Sequence, residues 1–348
     1  MALIDDEYHK LVYKILEDGY IYEDPNRKGT YRTEIDEYTI SHDLTKEFPA
    51  ITTKKLAWKS VVGELVWFLK GDTNIKYLLD NNINIWNEDA FRFAVKKGYP
   101  HSMKQFINGI RDGIYYDGKL LGELGPIYGD AWRKFGKGHW NKESVDQILL
   151  LILNLKKNPL ASDHVVTALN PTNKEDMALQ PCHYGFQIIA RPLTKLEKLD
   201  SLRKIGATWF TGQSVNKEIE KWKLPSYGFT LKWNQRSVDT FLGLPFNIAS
   251  YALLAHIIGK LTNLTPLKLV GSLSKVHIYD NAMEKVTEQL NRSTTEYEGA
   301  KLAFNISNYI TPHVSLDDLF NQFKLEDFKL NNYNSFSSLN VPMLSYNK

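Results

Sequence analysis

Cysteine is almost absent from this sequence, because Cys182 is the only one among 348 residues. A single cysteine cannot form an internal disulfide, which fits a reducing compartment. The chain also lacks Gly/Ser tracts, long proline runs and blocks of like charge. Since nothing in the sequence is typical of a linker or a repeat, we expect residues 1–348 to form a single catalytic domain.

A strong net charge and a membrane-length apolar run are missing as well. The formal net charge is +3, and charges of both signs are interspersed, whereas nucleic-acid binders are usually more basic and more clustered. The longest apolar runs, such as QILLLILNL, are too short to span a bilayer, and the acidic start MALIDDEYHK is not typical of a secretory signal. We therefore expect a soluble, cytoplasmic protein with no nucleic-acid or membrane partner.

What the chain does have is apolar material for a large core, since 43% of its residues are hydrophobic and 12% are aromatic. Apolar spacing predicts helices over 4–19, 58–71, 141–159 and 246–264, the last apolar almost all round and therefore central and buried. Alternation predicts strands in YRTEIDEYTISHDL, HVVTALN, YGFQIIA and GFTLKWNQRS, with VHIYDN as a short strand end. This mixture lacks strict βαβ alternation, so the expected class is a single α/β or α+β domain.

The lysine-rich stretch 192–226 differs from the core strands on either side of it. Connections of this length and polarity normally lie on the surface. We interpret it as a surface insertion between two neighbouring strands.

Two residues in apolar surroundings are candidates for chemistry. Cys182, in ALQPCHYGFQ, is either a small core residue or a nucleophile. Glu64, in VVGELVWFLKG, either faces solvent or needs a partner or a raised pKa, because an isolated carboxylate is costly to bury.

The stretch NQRSVDTFLGLPFNIAS and the later KVHIYDN place polar groups where a nucleotide could bind. Arg236 and Ser237 suit a phosphate, through charge-assisted hydrogen bonds. Asn247 carries a donor and an acceptor that match N3–H and O4 of uracil, although it could instead cap the following helix. His277 and Tyr279 share one strand face and could bond a sugar hydroxyl, or could belong to an ordinary half-buried strand.

The amino-acid sequences of these segments, and their order in the chain, resemble those of the thymidylate synthase family over most of residues 5–345. The matching stretches are FPAITTKKLAWKSVVGELVWFLKGDTN, NIWNE, GELGPIYGDAW, MALQPCHYGFQ, QRSVDTFLGLPFNIASYALLAHI and VHIYDN. Phage members of the family are especially similar in the first of them, and for a phage gene the compartment would be the host cytoplasm. The resemblance implies a bent, mixed β-sheet in a single domain, with two sheets packed back to back in an obligate homodimer.

The resemblance also implies a reaction: transfer of one carbon from 5,10-methylenetetrahydrofolate to C5 of dUMP, giving dTMP and dihydrofolate without a metal. Thiolate addition at C6 turns C5 into a nucleophilic enolate carbon, and a nearby arginine such as Arg236 would lower the pKa of the thiol. The catalytic residues implied are Cys182, Glu64, Arg236, Asp239, Asn247, Tyr128 and His183. The dUMP-binding residues implied are Arg27, Arg236, Ser237, Asn247, His277, Tyr279 and Gln235. The folate side would include Trp86, Asp239, Lys54, Gly243 and Tyr333, the last in a C-terminal stretch that also reaches the sugar.

The clearest departure from the family concerns the phosphate. Ser162 and Asp163 stand where family members carry paired arginines that reach across the dimer to the nucleotide. Either basic residues of the insertion region, such as Arg191, Arg203 or Lys204, take over, or the substrate has changed. We favour the first interpretation.

Other departures lie on the folate side: Asp89 in place of a frequent second tryptophan, the loop GSLSKVHIY, and the extended tail VPMLSYNK. In the family the tail closes over the folate and excludes water. A looser closure would let water instead of hydride reach the C5 methylene. The alternative activity is therefore a dUMP hydroxymethylase, which releases hydroxymethyl-dUMP and tetrahydrofolate. A third possibility is a non-catalytic binding homologue, which the presence of Cys182, Glu64, Asn247 and Asp239 together argues against.

Overall fold

The computed structural model describes residues 2–136, 143–207, 215–311, 314–342 and 344. The α-helices there are α1 (Leu3–Asp18), α2 (Trp58–Leu69), α3 (Lys76–Asp80), α4 (Asn87–Lys96), α5 (Met103–Arg111), α6 (Tyr128–Arg133), α7 (Gln147–Lys157), α8 (Lys195–Lys204), α9 (Val215–Lys221), α10 (Leu244–Thr262), α11 (Met283–Leu290) and α12 (Leu316–Gln322). The strands are β1 (Tyr20–Glu23), β2 (Tyr31–Asp43), β3 (Tyr115–Tyr116), β4 (Lys119–Leu120), β5 (Val165–Thr167), β6 (His183–Pro192), β7 (Tyr227–Gln235), β8 (Val238–Asp239), β9 (Thr265–Tyr279), β10 (Lys301–Phe304) and β11 (Phe328–Asn331).

One mixed sheet organises the molecule, in the order β1-β2-β9-β7-β6-β5, with β8 added beside β9. The β7–β9 and β8–β9 pairs are parallel, and the other pairs of this sheet are antiparallel. Parallel pairing of β7 with β9 requires a crossover, and the long helix α10 makes it. The predicted mixed α/β class is confirmed.

Helix α10 is the centre of the core. Fourteen of its 19 residues are buried, and Pro245 lies in its first turn, where its missing N–H costs nothing. The helix ends at Asn263, whose φ of 56° is the left-handed conformation typical of a helix C-terminus. It packs against α2, α7 and the strands β7 and β9. Among the described residues it is the one helix with the length and composition to cross a membrane, but most of it is buried inside the protein.

Several predicted elements are shorter or longer than expected. The helix expected over 141–159 begins at Gln147, because the side chain of Asp146 accepts a hydrogen bond from the Leu149 amide and caps it; residues 141–142 lie outside the described ranges. Only Val165–Thr167 of HVVTALN is a strand. In contrast, VHIYDN is the end of a 15-residue strand, β9, which runs the length of the sheet.

The lysine-rich stretch contains α8 and α9 and connects β6 to β7, which are antiparallel neighbours. Pro192 lies opposite Tyr227 at the point where the chain leaves and re-enters the sheet. The two helices have a small apolar cluster of their own, made of Leu202, Val215 and Ile219. Residues 208–214 lie outside the described ranges.

Candidate active site

A cavity of about 850 Å³ lies at the start of β6 and at the ends of β7, β8 and β9, with α4 and the β1–β2 connection beside it. It is lined by seven of the residues singled out from the sequence: Arg27, Cys182, Arg236, Ser237, Asp239, His277 and Tyr279. The sheet topology brings these seven together from four separate segments of the chain. Asp89 of α4, a departure from the family pattern, lines the same cavity.

Cys182 immediately precedes β6 and is fixed by main-chain hydrogen bonds. Its amide donates to the Tyr128 hydroxyl over 2.8 Å, and its carbonyl accepts from the Arg236 amide over 2.9 Å. Burial raises the pKa of the thiol, while the positive charge of Arg236 acts in the opposite direction and the carboxylate of Asp89 adds to the rise. The expected lowering by arginine is therefore present, but burial outweighs it.

Glu64 has the partner that its apolar surroundings require. Its Oε1 accepts a hydrogen bond from the indole N–H of Trp86 over 2.8 Å. Burial raises the pKa of this carboxyl to about 7, and the Trp86 hydrogen bond only partly offsets that effect. Near neutral pH both protonation states of Glu64 are accessible.

His183 directly follows Cys182 and lies between two tyrosines. Its ring stacks on Tyr128 with centroids 4.2 Å apart, and its Nδ1 is 2.9 Å from the Tyr251 hydroxyl. Burial lowers the pKa of His183 to about 3, so the imidazole is neutral at physiological pH. The sequence analysis did not identify Tyr251. It could have been found as a hydroxyl group on a helix that is otherwise almost entirely apolar, because a buried phenol needs a hydrogen-bond partner.

Asn247 lies inside α10, one turn after the helix begins. Its amide donates to the carbonyl of Gly243, the residue before the helix, so the alternative of a helix cap is wrong. Its Oδ1 accepts a hydrogen bond from Gln235 Nε2 over 3.0 Å. Gln235 is fixed in turn by Trp233, whose indole N–H donates to its Oε1 over 3.2 Å. The Asn247 carboxamide is thus oriented by a second amide.

Asp239 and Trp86 are held at the expected folate side. Asp239 Oδ1 accepts from the amides of Phe241 and Leu242, over 3.0 and 2.9 Å, in the turn that leads to α10. Trp86 is nearly buried, and its ring contacts Tyr128 edge-on, with centroids 6.3 Å apart. These contacts give both side chains defined orientations.

Of the five residues expected on the folate side, Asp239 lines the cavity, and Trp86, Gly243, Lys54 and Tyr333 do not. Lys54 is buried; its ammonium group donates to the carbonyl of Phe241 and lies 3.6 Å from the centre of that ring. Burial lowers its pKa to about 7. The Tyr333 hydroxyl accepts from the Leu56 amide and donates to the Ile51 carbonyl, over 2.8 and 2.9 Å. Both side chains are engaged with the protein's own main chain in this conformation.

Arg27 lines the end of the cavity where the sequence predicts a phosphate. Its Nη1 donates to the Tyr279 hydroxyl over 2.6 Å, and its Nε donates to the carbonyl of Leu344 over 3.2 Å. The Tyr279 hydroxyl donates to Asp24 Oδ2 over 3.2 Å. The C-terminal stretch therefore lies directly against the cavity.

Comparison with known proteins agrees with this geometry. The family model described as "Thymidylate synthase" matches residues 6–345. A thymidylate synthase of Malacoplasma penetrans (strain HF-2) is 36% identical over 335 residues, which cover 96% of this chain and 97% of that protein. A thymidylate synthase of Enterobacteria phage T4 is 36% identical over 337 residues, or 94% of this chain and 95% of that protein. A probable thymidylate synthase of Escherichia phage T5 is 40% identical over 288 residues, or 80% and 82%.

The chain belongs to the thymidylate synthase family. Thymidylate synthases are one-carbon transferases that use 5,10-methylenetetrahydrofolate as co-substrate and bind dUMP. Within the described ranges, no group of three or more histidine, cysteine or acidic side chains is arranged to hold a metal ion.

Ser162 and Asp163 are the clearest departure from the family pattern. They lie in the connection between α7 and β5 and do not line the cavity of their own chain. The basic residues considered as replacements also lie elsewhere. Arg191, Arg203 and Lys204 line a second cavity, of about 740 Å³, between α8 and the ends of β2, β6 and β9. Within one chain, none of these five residues reaches the site of Cys182.

Proposed function

We propose that this protein is a dUMP-specific thymidylate synthase in which Cys182 is the nucleophile. The observation that carries the proposal is the shared cavity, in which the sole thiol of the chain lies among the cations, hydroxyls and imidazole that a nucleotide monophosphate needs. The whole-chain similarity to proteins named thymidylate synthase supports it.

Cys182 would add to C6 of the uracil ring, which makes C5 nucleophilic toward an electrophilic carbon. The thiol must first lose its proton, and Arg236 is placed to favour the thiolate. The guanidinium is fixed beside the thiol, because Nε and Nη2 donate to the carbonyls of Pro181 and Gln180 over 3.0 and 2.9 Å. Its charge therefore acts on the thiol without a prior rearrangement.

Glu64 would move protons near O4 of the uracil and the pterin, through water. A general acid or base works best when its pKa is near the operating pH, and burial brings Glu64 to about 7. The neutral His183 and the hydroxyl of Tyr128, which are stacked on each other, complete the polar wall around the base.

Asn247 would distinguish uracil from cytosine. Its carboxamide can accept from N3–H and donate to O4, whereas cytosine presents the opposite pattern. Because Gln235 holds the carboxamide, it cannot rotate to suit cytosine without losing that 3.0 Å hydrogen bond. A mismatched buried hydrogen bond is costly.

The remaining cavity residues would bind the sugar and phosphate. His277 and Tyr279 would contact the 3′-hydroxyl, and Arg27, Arg236 and Ser237 the phosphate. On the folate side, 5,10-methylenetetrahydrofolate would provide the one-carbon unit and then a hydride. The second carboxylate oxygen of Asp239 and the ring of Trp86 would fix the pterin, and the C-terminal stretch would exclude water.

We also propose a homodimer that acts in the cytoplasm as a single-domain enzyme with a surface insertion. Strands β5 and β6 carry apolar side chains that are unusually exposed for a sheet, with Val165 at 55%, Ile189 at 48% and Tyr184 at 36%. A large exposed apolar surface on a sheet favours burial against another chain. A second copy packed there would bring its own insertion region close to this chain.

The test is a product assay with purified enzyme, 5,10-methylenetetrahydrofolate and either dUMP or dCMP. We expect dihydrofolate to appear in step with dUMP loss, and dTMP as the product by mass spectrometry. We expect dCMP to react at least about tenfold more slowly, from one mismatched hydrogen bond. Consumption of dUMP without dihydrofolate, with a product one oxygen heavier than dTMP, would instead establish a hydroxymethylase. Equal rates on both nucleotides would contradict the role of Asn247.

A further inference from the structure

The sugar end of the cavity rests on a buried carboxylate that the reaction scheme above does not use. Glu34 of β2 lies directly opposite His277 of β9 in the sheet, and Arg32 lies opposite Tyr279. Glu34 has no exposed surface, and His277 is 2% exposed. A fully buried carboxylate persists only where charges or hydrogen bonds compensate it.

The compensation of Glu34 is uneven between its two oxygens. Oε1 accepts from the ammonium of Lys275 and from the hydroxyl of Tyr20, each over 3.2 Å. Oε2 lies 3.1 Å from Arg32 Nη2 and 3.7 Å from His277 Nδ1, yet it has no donor in good hydrogen-bonding geometry. The oxygen that faces the histidine therefore has acceptor capacity left.

His277 has a defined tautomer in this arrangement. Its Nδ1 lies 2.8 Å from the carbonyl of Lys275. A carbonyl only accepts, so Nδ1 carries the hydrogen. Burial lowers the pKa of His277, which keeps the ring neutral. The other nitrogen, Nε2, is therefore an acceptor.

Lys275 needs to be held in place to make that contact. Its φ of 48° is in the left-handed region, which is unusual for a non-glycine residue within a strand. Its carbonyl fixes the histidine, and its ammonium is bound by Glu34. Glu34 thus acts on His277 twice, through the field at Nδ1 and through the conformation of Lys275.

We propose that Glu34 is a positioning residue that keeps His277 in the Nδ1–H tautomer, so that Nε2 accepts a hydrogen bond from a hydroxyl on the substrate sugar. The neighbouring Tyr279 has already committed its own hydrogen to Asp24, over 3.2 Å. The sugar end then presents acceptors, and it selects a nucleotide whose 3′-substituent donates a hydrogen. This inference rests on the proposed binding of dUMP.

The substitution Glu34→Gln tests the proposal, because an amide N–H at this position can donate to Nδ1 and drive the hydrogen to Nε2. Affinities for dUMP and for its 2′,3′-dideoxy analogue are measured by calorimetry for each variant. We expect wild type to prefer dUMP by about tenfold, the size of one good hydrogen bond, and Glu34→Gln to reduce the preference to about twofold or less. Asp36→Asn is the matched control, because it makes the same change two residues along β2, at an exposed acid bonded to Tyr20.

A ¹⁵N spectrum of the histidine side chains reads the tautomer in the wild-type protein, so this measurement does not require Glu34→Gln to fold. The spectrum of His277→Gln identifies the His277 signal. We expect the Nδ1–H form at neutral pH; the Nε2–H form or an imidazolium would overturn the proposal. An equal loss of affinity for both nucleotides in Glu34→Gln would also overturn it, since that result would mean a general structural effect. If wild type bound no dUMP at all, the proposed function itself would fail, and the tautomer would still be measured independently.

Discussion

At the scale of single residues, burial sets the protonation of this site more strongly than charge does. It raises the pKa of Cys182 despite Arg236, brings Glu64 to about 7, and lowers His183 to about 3. At neutral pH the cavity therefore holds a neutral imidazole, a carboxyl that exchanges its proton readily, and a thiol whose ionisation depends on its neighbours.

Replacing the thiol is the most direct test of the chemistry. We expect Cys182→Ala to fold and to bind dUMP, because the hydrogen bonds at this position come from the main chain, but to lose turnover. With 5-fluoro-dUMP and the folate, wild type should gain the mass of one covalent complex and the variant should not. Since no other cysteine exists, an adduct of normal mass on the variant would rule out the mechanism.

Glu64 should also make stability depend on pH. Its folded pKa of about 7 lies above the ordinary value of 4.5, so the folded state binds this proton more tightly than the unfolded state does. The resulting stabilisation is complete below about pH 4.5 and is lost as the pH rises through 7, by up to about 3 kcal/mol. Urea unfolding of wild type and Glu64→Gln from pH 5 to 8 measures the difference.

The Glu64→Gln variant has no carboxyl to ionise at this position. As the pH rises, the free energy of unfolding of wild type should therefore fall relative to that of the variant. His183 titrates alike in both proteins and cancels in the comparison. A constant difference across this range would show that Glu64 is not buried strongly enough to resist ionisation.

At the scale of elements, α8 and α9 connect two strands that are paired with each other, so we expect this segment to be separable from the sheet. The flanking residues already pair, since the Leu193 amide donates to the Ser226 carbonyl over 2.9 Å, and the insertion has its own apolar cluster. Two-residue turns join antiparallel strands efficiently. The core and the cavity of one chain do not depend on these helices.

Replacing residues 194–225 by an Asn-Gly turn should therefore leave a folded protein. We nevertheless expect KM for dUMP to rise by about tenfold or more. The insertion is our candidate source of the cations that would bind the phosphate across the dimer, and charge-assisted hydrogen bonds are strong. The double substitution Arg203→Ala/Lys204→Ala should reproduce the effect, and Lys217→Ala/Lys221→Ala on α9 serves as its control. An unchanged KM in the deletion would mean that residues 194–225 do not contribute to phosphate binding.

At the scale of the whole molecule, the residues that line the cavity and the cations that would bind the phosphate come from distant parts of the chain. Ser162 and Asp163 provide no cation, and within the described part of one chain the cations that line the cavity are Arg27, Arg32, Arg92, Arg236 and Lys275. A dimer in which the sheets face each other would add the partner's basic residues. In such a dimer both chains would contribute to the nucleotide site.

Arg27→Ala should separate phosphate binding from chemistry. We expect KM for dUMP to rise by roughly ten- to a hundredfold, the range for a charge-assisted hydrogen bond, with a smaller change in kcat. Deoxyuridine should be a poor substrate for wild type and should be affected little by the substitution. Arg111→Ala, at the end of α5 and outside the cavity, is the control. If wild type used deoxyuridine as well as dUMP, the loss of the arginine pair would indicate a different substrate.

The sequence alone determined the class, the family and most of the local structure. A helix apolar on every side, such as α10, has to be buried whatever surrounds it. The alternation in YRTEIDEYTISHDL predicts a strand with one exposed face, but β2 is buried on both faces from Arg32 to Ile35. The amino-acid sequence around Cys182 and Asn247 was specific enough for their roles to be stated as hypotheses, because few chemistries need those residue types in that order.

Only the tertiary structure decided what surrounds these residues, since burial and distance depend on chain segments far apart in sequence. It showed that Lys54 and Tyr333 are engaged by main-chain groups, and that burial outweighs Arg236 at the thiol. It also placed Glu34 against His277, 243 positions away in the chain, through the register of β2 with β9. No local pattern contains that pairing, because it arises from the alignment of two strands that meet only in the folded sheet.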